Sequence, residues 1–380
     1  MLIVHLILAG LAVGVIALDA TSTASAACVA TLAGAGVLLG SPLGPALHAA
    51  LPVLVFLAAA LTLATAAGRA GLAVRAADRM ARLARGSTPR LYALVCGATA
   101  LMTAVVSLDG AVVLIVPLLL ALARRHGAPL APLLLGTVAV ANAASIVVPQ
   151  GNPTNLVVIE RLEIAPIDFV GQMLVPGLVG AFVCGAGAAL LERRALTAGY
   201  AVPADVPRAP LSRAERQLIV ALAAAGLVAW LAPLLGISPC WPFAAIAAGA
   251  LLLHPHPRPR PAVPVRLAVQ LIGLLVLIGS LHLEPTGSAS LFVVAGAVSV
   301  VAALANNLPA SVSVGSLLAG PSAYAATIGL GVGALAAPQG SVATLLAAEL
   351  AGPDAPPLRV SRLAPLALAG VAAATIALHA

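Results

Sequence analysis

The sequence predicts an all-α polytopic membrane protein. It should have about ten transmembrane helices plus two re-entrant hairpins, arranged as an inverted-topology repeat with two broken helices. Three observations lead there. The chain has 380 residues, of which 62% are hydrophobic and 8% charged, with a mean hydropathy of +1.12. Soluble domains carry roughly 25% charged residues, so this composition cannot cover a water-facing surface. Apolar runs of roughly 17–25 residues, the length that crosses a bilayer as helix, recur throughout, without the short alternation of barrel strands. Finally, the tripeptide Pro-Gln-Gly occurs at 149–151 and again at 338–340, each time between apolar runs.

The first half, 1–191, opens with spans near 2–18, 26–40 and 48–68. Small residues at 21-TSTASAAC-28 resemble a cleavage or lipid-attachment site, but no basic region precedes them, so the first run reads as a membrane helix. A basic loop follows with Arg69, Arg75, Arg79, Arg82, Arg85 and Arg90. Segments 91–107 and 110–123 meet at 107-SLDG-110 and end at Arg124-Arg125; both are short for full spans, so 91–124 reads as a hairpin. Segment 130–160 is interrupted by 149-PQGNPTN-155, and span 168–191 closes the half. A cytoplasmic linker, 192–215, carries Arg193, Arg194, Arg208 and Arg213.

The second half, 216–380, repeats the order. Spans lie near 216–236, 238–253 and 266–283, followed by a hairpin at 289–320 with the tip 306-NNLP-309. Segment 324–351 is broken by the second Pro-Gln-Gly, and a last span covers 362–380. Arg-rich loops stay cytoplasmic. That rule puts every arginine except Arg161 inside and both termini outside, in the inner (plasma) membrane. The halves then run in opposite directions across the bilayer.

Several function classes drop out. The net charge of +7 is spread over short loops, which excludes nucleic acid as a partner. Cys28, Cys96, Cys184 and Cys240 form no CxxC pair and read as small apolar fillers. No P-loop, HExxH or nucleotide-binding glycine loop is present, so the chain is not expected to be an enzyme or to carry a cofactor. Energy must come from an H+ or Na+ gradient or from a partner ATPase. His5, His48, His126 and His282 read as interfacial, Glu284 and Asp354 as loop residues, Glu349 as a loop-end residue, and the His254/His256 pair as part of a Pro-rich loop.

Irregular backbone inside a bilayer must be satisfied by protein or by a wet cavity. The two breaks are therefore read as a site at mid-membrane. Gly151 and Gly340 permit tight geometry, while Pro149, Pro153 and Pro338 free helix carbonyls. Gln150 and Gln339 add polarity within the breaks. Half-helix N-termini favour anions and C-termini favour cations. Asp109 is the one acid placed deep in the first half, flanked by Ser107 and Gly110. Asn306 and Asn307 form the opposing tip, and Asn142 and Ser145 precede the first break. Gly331 and Ala334 stand at the matching places in the second half, so most polarity should come from the first. The bland alternatives are ordinary proline kinks, Asp109 in an external turn, and Asn306-Asn307 as a plain turn.

These residues resemble the ion transporter superfamily. The stretch 107-SLDGAVVLIVPLLLAL-122 is similar to the first hairpin of arsenical pump membrane proteins and sodium/proton antiporters, as 306-NNLP-309 is to their second. The segment 338-PQGSVATLLA-347 resembles the same branch, and 149-PQGNPTNLVV-158 resembles the Gly-Asn-Pro-x-Asn segment of divalent anion/sodium symporters. The resemblance implies a transport domain of hairpins and broken helices moving against a scaffold that often forms a homodimer. It adds Asn152, Thr154, Asn155, Ser341 and Thr344 to the site. Leu108 and Gly331 depart from the Asn that arsenical pumps tend to have at those places.

Asp109 places a negative charge beside the site with no basic residue at mid-depth to offset it. The expected substrate is therefore a small inorganic solute, arsenite or a cation exchanged as Na+/H+. Any coupling Na+ would sit near Asp109 and Asn152. The alternative is a Na+- or H+-coupled di- or tricarboxylate symporter of the citrate/succinate type. A third reading is a non-transporting membrane subunit.

Overall fold

The computed structural model describes residues 2–18, 22–202, 210–235, 237–238, 240–253, 265–279, 290–314 and 320–379. Among them every element is helical. In the first half the helices are α1 (Leu2–Leu18), α2 (Thr23–Leu38), α3 (Leu43–Arg69), α4 (Leu72–Leu83), α5 (Thr88–Val106), α6 (Leu108–His126), α7 (Leu130–Ala144), α8 (Pro153–Leu162), α9 (Pro166–Leu191) and α10 (Arg193–Leu196). In the second half they are α11 (Arg213–Leu234), α12 (Cys240–Leu253), α13 (Val265–Gly279), α14 (Leu291–Ala305), α15 (Asn307–Val314), α16 (Pro321–Gly331), α17 (Val342–Ala351) and α18 (Val360–His379). Five described helices are long and apolar enough to cross a membrane unaided: α3, α5, α9, α11 and α18. The chain is a multi-pass membrane protein.

Local signals explain where the helices start. Ser22 caps α2 by accepting from the Ser25 amide at 3.0 Å. Proline occupies the first turn of α5, α8, α9 and α16, where no amide hydrogen is needed. Gly127, at φ 68°, ends α6 in the left-handed conformation.

Three apolar clusters organise the packing. The largest joins α4–α9 to α14–α18. A second gathers α1, α2, α13 and the first part of α3 with residues of α8 and α15, among them Val29, Val53, Val157, Leu271 and Leu308. The third joins the rest of α3 to α11 and α12, where Phe56 meets Phe243 with ring centroids 4.7 Å apart. Packing partners exchange between the halves. Helix α2 lies on α13 and α3 on α12; α5 touches α11 and α14 touches α1; α6 crosses to α17 and α15 crosses to α8. Helices α9 and α18, each the last of its half, lie along one another.

Some boundaries differ from the sequence reading. The segments around 107-SLDG-110 are helices of 19 residues each, not 14–17. Arg90 in the first turn of α5 and Arg124 and Arg125 in the last turn of α6 lie inside these helices because long arginine side chains reach solvent from a helix end. The third span starts at Leu43 and ends at Arg69, and the second broken helix starts at Pro321. The basic loop 69–90 contains α4, a strongly amphipathic helix that the reading missed. Its short apolar face, Ala77 and Ala81, is buried in the main cluster. The loop 254–264 with the His254/His256 pair, residues 281–289 with His282 and Glu284, Arg208, and hairpin residues 315–319 lie outside the described residues.

Candidate functional site

Each break is a designed interruption of a buried helix. Helix α7 ends at Ala144, a 3-10 turn covers Pro149–Gly151, and Asn152 turns extended (φ −145°, ψ 136°) before α8 begins. The second break follows the same course. Helix α16 ends at Gly331, a 3-10 turn covers Pro338–Gly340, and Ser341 is extended (φ −137°, ψ 132°) before α17. The glycines are required by close approach. A Cβ on Gly151 would lie 2.4 Å from the Ser145 carbonyl oxygen, and one on Gly340 would lie 2.1 Å from that of Ala334. The chain therefore folds back on the residue six places earlier at both breaks. Carbonyls freed by the first break are taken up by Asn155, whose Nδ2 donates to Ser145 O at 2.8 Å and Val148 O at 2.9 Å.

The two helix-pair turns are strained. Ser107 adopts φ 101°, ψ 167°, and Asn306 adopts φ 73°, ψ 147°, a region that non-glycine residues rarely occupy. Each residue caps the helix that follows. Ser107 Oγ accepts from Gly110 N at 3.4 Å, and Asn306 Oδ1 accepts from Leu308 N at 3.2 Å. Each turn is also tied to the neighbouring break. Gln150 Nε2 donates to Ala104 O at 3.2 Å, and Asn306 Nδ2 donates to Gln339 O at 2.8 Å.

Turns and breaks surround one narrow cleft of about 10 Å³, room for about one water in this conformation. Its walls are the first residues of four helices: Leu108 and Asp109 of α6, Asn152, Pro153 and Thr154 at α8, Asn307 and Leu308 of α15, and Ser341 and Val342 at α17. Asp109 is 4% exposed. The hydroxyls of Thr154 and Ser341 are buried with no protein partner. Asn152 caps α8 through Thr154 N at 3.1 Å, whereas no side chain caps α17. A helix start carries about +0.5 of an elementary charge, so the start of α6 and the three others in the wall favour negative charge in the cleft. Helix starts favour anions, and here they share the wall with an acid. Two larger spaces, beside Val300 and Leu368 and beside Phe182, are open apolar grooves without donors for such chemistry.

The structure brings Asp109, Asn152, Thr154, Asn307 and Ser341 to the cleft. The other candidates stand behind it. Ser107, Gly110 and Asn306 shape the turns; Gln150, Gly151, Gln339 and Gly340 form the breaks; Asn142 and Thr344 join the breaks to one another, and Ser145 and Asn155 brace the first. Sequence reasoning missed Leu108, Pro153, Leu308 and Val342, which reach the cleft as helix-start positions. Their signal was present: each directly follows a Ser or Asn at or next to the residue that opens its helix. Gly331, the departure from the arsenical-pump pattern, also has a cause. A Cβ there would lie 2.2 Å from Ile146 Cγ2. Among the described residues no cluster of three metal-ligating side chains occurs, and all four cysteines are free.

A comparison with curated proteins returns no match. The citrate transporter family matches over residues 4–372, nearly the entire chain. Its members are secondary transporters and not enzymes, and citrate is the solute the family is described by. The match favours the carboxylate side of the resemblance and gives no support to the arsenical-pump branch. By that match over nearly its whole length, this chain belongs to the citrate transporter family.

Proposed function

We propose that the protein carries a citrate-type di- or tricarboxylate by alternating access, coupled to H+ or Na+ at Asp109. The convergence of four helix N-termini on one cleft supports this reading above all. It also reverses the argument for arsenite. That argument held that nothing offsets Asp109, but the helix starts do, without any arginine. An empty, ionised Asp109 opposes a carboxylate; a protonated or Na+-bound Asp109 leaves the cleft positive. Cation and substrate then favour each other's binding, and the linkage is reciprocal.

In this reading α5–α6 and α14–α15 are re-entrant hairpins, and the halves are inverted copies. The reciprocal packing of α2 on α13 with α3 on α12, and of α6 on α17 with α15 on α8, supports the repeat. The site residues are Asp109, Asn152, Thr154, Asn307 and Ser341, with α17 offering the uncapped amides. Gradient-driven carriage of this kind requires no partner ATPase, and a homodimer remains an implication of the resemblance.

Purified protein in proteoliposomes tests the proposal with labelled citrate, succinate and arsenite under imposed pH and Na+ gradients. Citrate should accumulate only when a gradient is present, and Asp109→Asn should lose that accumulation while remaining folded in the membrane. Accumulation of arsenite but not carboxylate would overturn the substrate class. Undiminished accumulation by Asp109→Asn would overturn the coupling role.

A further inference from the structure

The two breaks are linked by a chain of hydrogen bonds beneath the cleft, and Asn142 is its centre. Asn142 is fully buried in α7. Its Nδ2 donates to Val138 O at 2.9 Å within its own helix and to Thr344 Oγ1 of α17 at 3.3 Å. Its carbonyl accepts from Ser145 Oγ at 2.7 Å. Ser145 Oγ in turn accepts from Asn152 Nδ2 at 3.2 Å, and Asn152 Oδ1 accepts from Thr154 N, the first turn of α8. The path therefore runs from the start of α17 to the start of α8. Asn142, Ser145 and Thr344 do not line the cleft, whereas Asn152 and Thr154 do. The halves also approach closely here, where Gly331 leaves room for Ile146 and lies near the Asn142 carbonyl.

We propose that Asn142 is a positioning residue that fixes the start of α17 relative to the start of α8, so that both helix ends address one bound carboxylate substrate. This inference rests on the carboxylate reading of the cleft. A helix start attracts an anion only over the length of its first turn. If α17 shifts against α8, one carboxyl group of the substrate loses its amides while the other keeps them. Affinity falls, although every group that touches the substrate is still present. Asn142 Oδ1 is buried without a partner, so the side chain acts here as a donor.

The test is a double-mutant cycle with Asn142→Ala and Thr344→Val in lipid nanodiscs, reading citrate Kd by calorimetry and melting temperature without citrate. One neutral hydrogen bond corresponds to a roughly five-fold change in affinity. Each single variant should weaken citrate about five-fold, the double variant no further, and Thr344→Ser should restore the wild-type Kd. In proteoliposomes KM should rise in step while the rate at saturating citrate stays within about two-fold. Multiplicative losses in the double variant, or lower melting temperatures with Kd unchanged, would overturn the proposal. A wild-type protein that binds no citrate would instead overturn the carboxylate reading. The melting-temperature cycle then decides the link by itself: zero coupling between Asn142 and Thr344 ends it, and non-additivity sustains it.

Discussion

Ser107 holds a backbone conformation that suits glycine, yet it also caps α6 through Gly110 N. The two roles can be separated by substitution. Ser107→Ala keeps the strain and loses the cap, so it should destabilise by about 1 kcal/mol. Ser107→Gly removes strain of about 1–3 kcal/mol and costs only tenths of a kcal/mol in capping. Ser107→Gly should therefore melt above wild type and Ser107→Ala below it; the reverse order in thermal unfolding would refute the strain assignment. Gly151 offers no such relief. An alanine Cβ would meet the Ser145 carbonyl oxygen at 2.4 Å, and backbone cannot step aside as a side chain can. Gly151→Ala should cost about 1–3 kcal/mol or more and lower the yield of monodisperse protein in detergent. Neither φ nor the fold-back was legible at these positions. The sequence pointed to the Gly and the polar tip, but what each must avoid lies six residues away, or in another helix.

At the scale of elements, α4 joins two parts of the molecule at one end. Asp78 accepts from His126 Nε2 at 2.8 Å and from Arg125 Nε at 3.2 Å, docking α4 on the end of α6. Arg75 pairs with Glu215 at the start of α11. Burial by itself would raise the Asp78 carboxyl, but the hydrogen bonds and charges of His126 and Arg125 outweigh it and hold the group below its ordinary value. A carboxyl lowered in the fold stabilises the docked helix at pH values above its unfolded pKa of about 3.9. That contribution fades as pH falls through the lowered folded value. Limited proteolysis near Arg85 should thus accelerate as pH drops below about 4, and Asp78→Asn should show the faster cleavage already at pH 7. Cleavage that is independent of pH in both proteins would rule this docking out. The sequence displayed α4 only as a run of arginines between spans. Its helix follows from the small buried face of Ala77 and Ala81, too short to register as a span.

For the whole molecule, arginine distribution and packing lead to one orientation. Ion pairs Arg75–Glu215, Arg125–Asp78 and Arg362–Glu192 join α4, α6, α9, α11 and α18 at a single end of the bundle. The positive-inside rule predicts that this end faces the cytoplasm. In a chain whose native cysteines are replaced by alanine, cysteine at Arg85 or Arg193 should react with a membrane-impermeant maleimide only in inside-out vesicles. Cysteine at Glu163 should react only in right-side-out vesicles. All three positions are exposed. Labelling of Glu163 and Arg85 positions from the same side would break the inverted arrangement and, with it, the alternating-access reading.

Composition and the length of apolar runs determined by themselves that this chain lives in a bilayer as helices, because desolvation of backbone and charge acts on every residue regardless of its neighbours. The repeated Pro-Gln-Gly marked where two helices must break, since proline and glycine act locally. Electrostatics of the site was a different matter. Read along the chain, Asp109 looked uncompensated; in the fold it stands at the start of its own helix beside the starts of three others, up to 233 positions away in sequence, from Asp109 to Val342. Peptide dipoles carry no letter in the sequence. Their sum depends on where helix ends point, and only the tertiary structure aims four of them at one cleft.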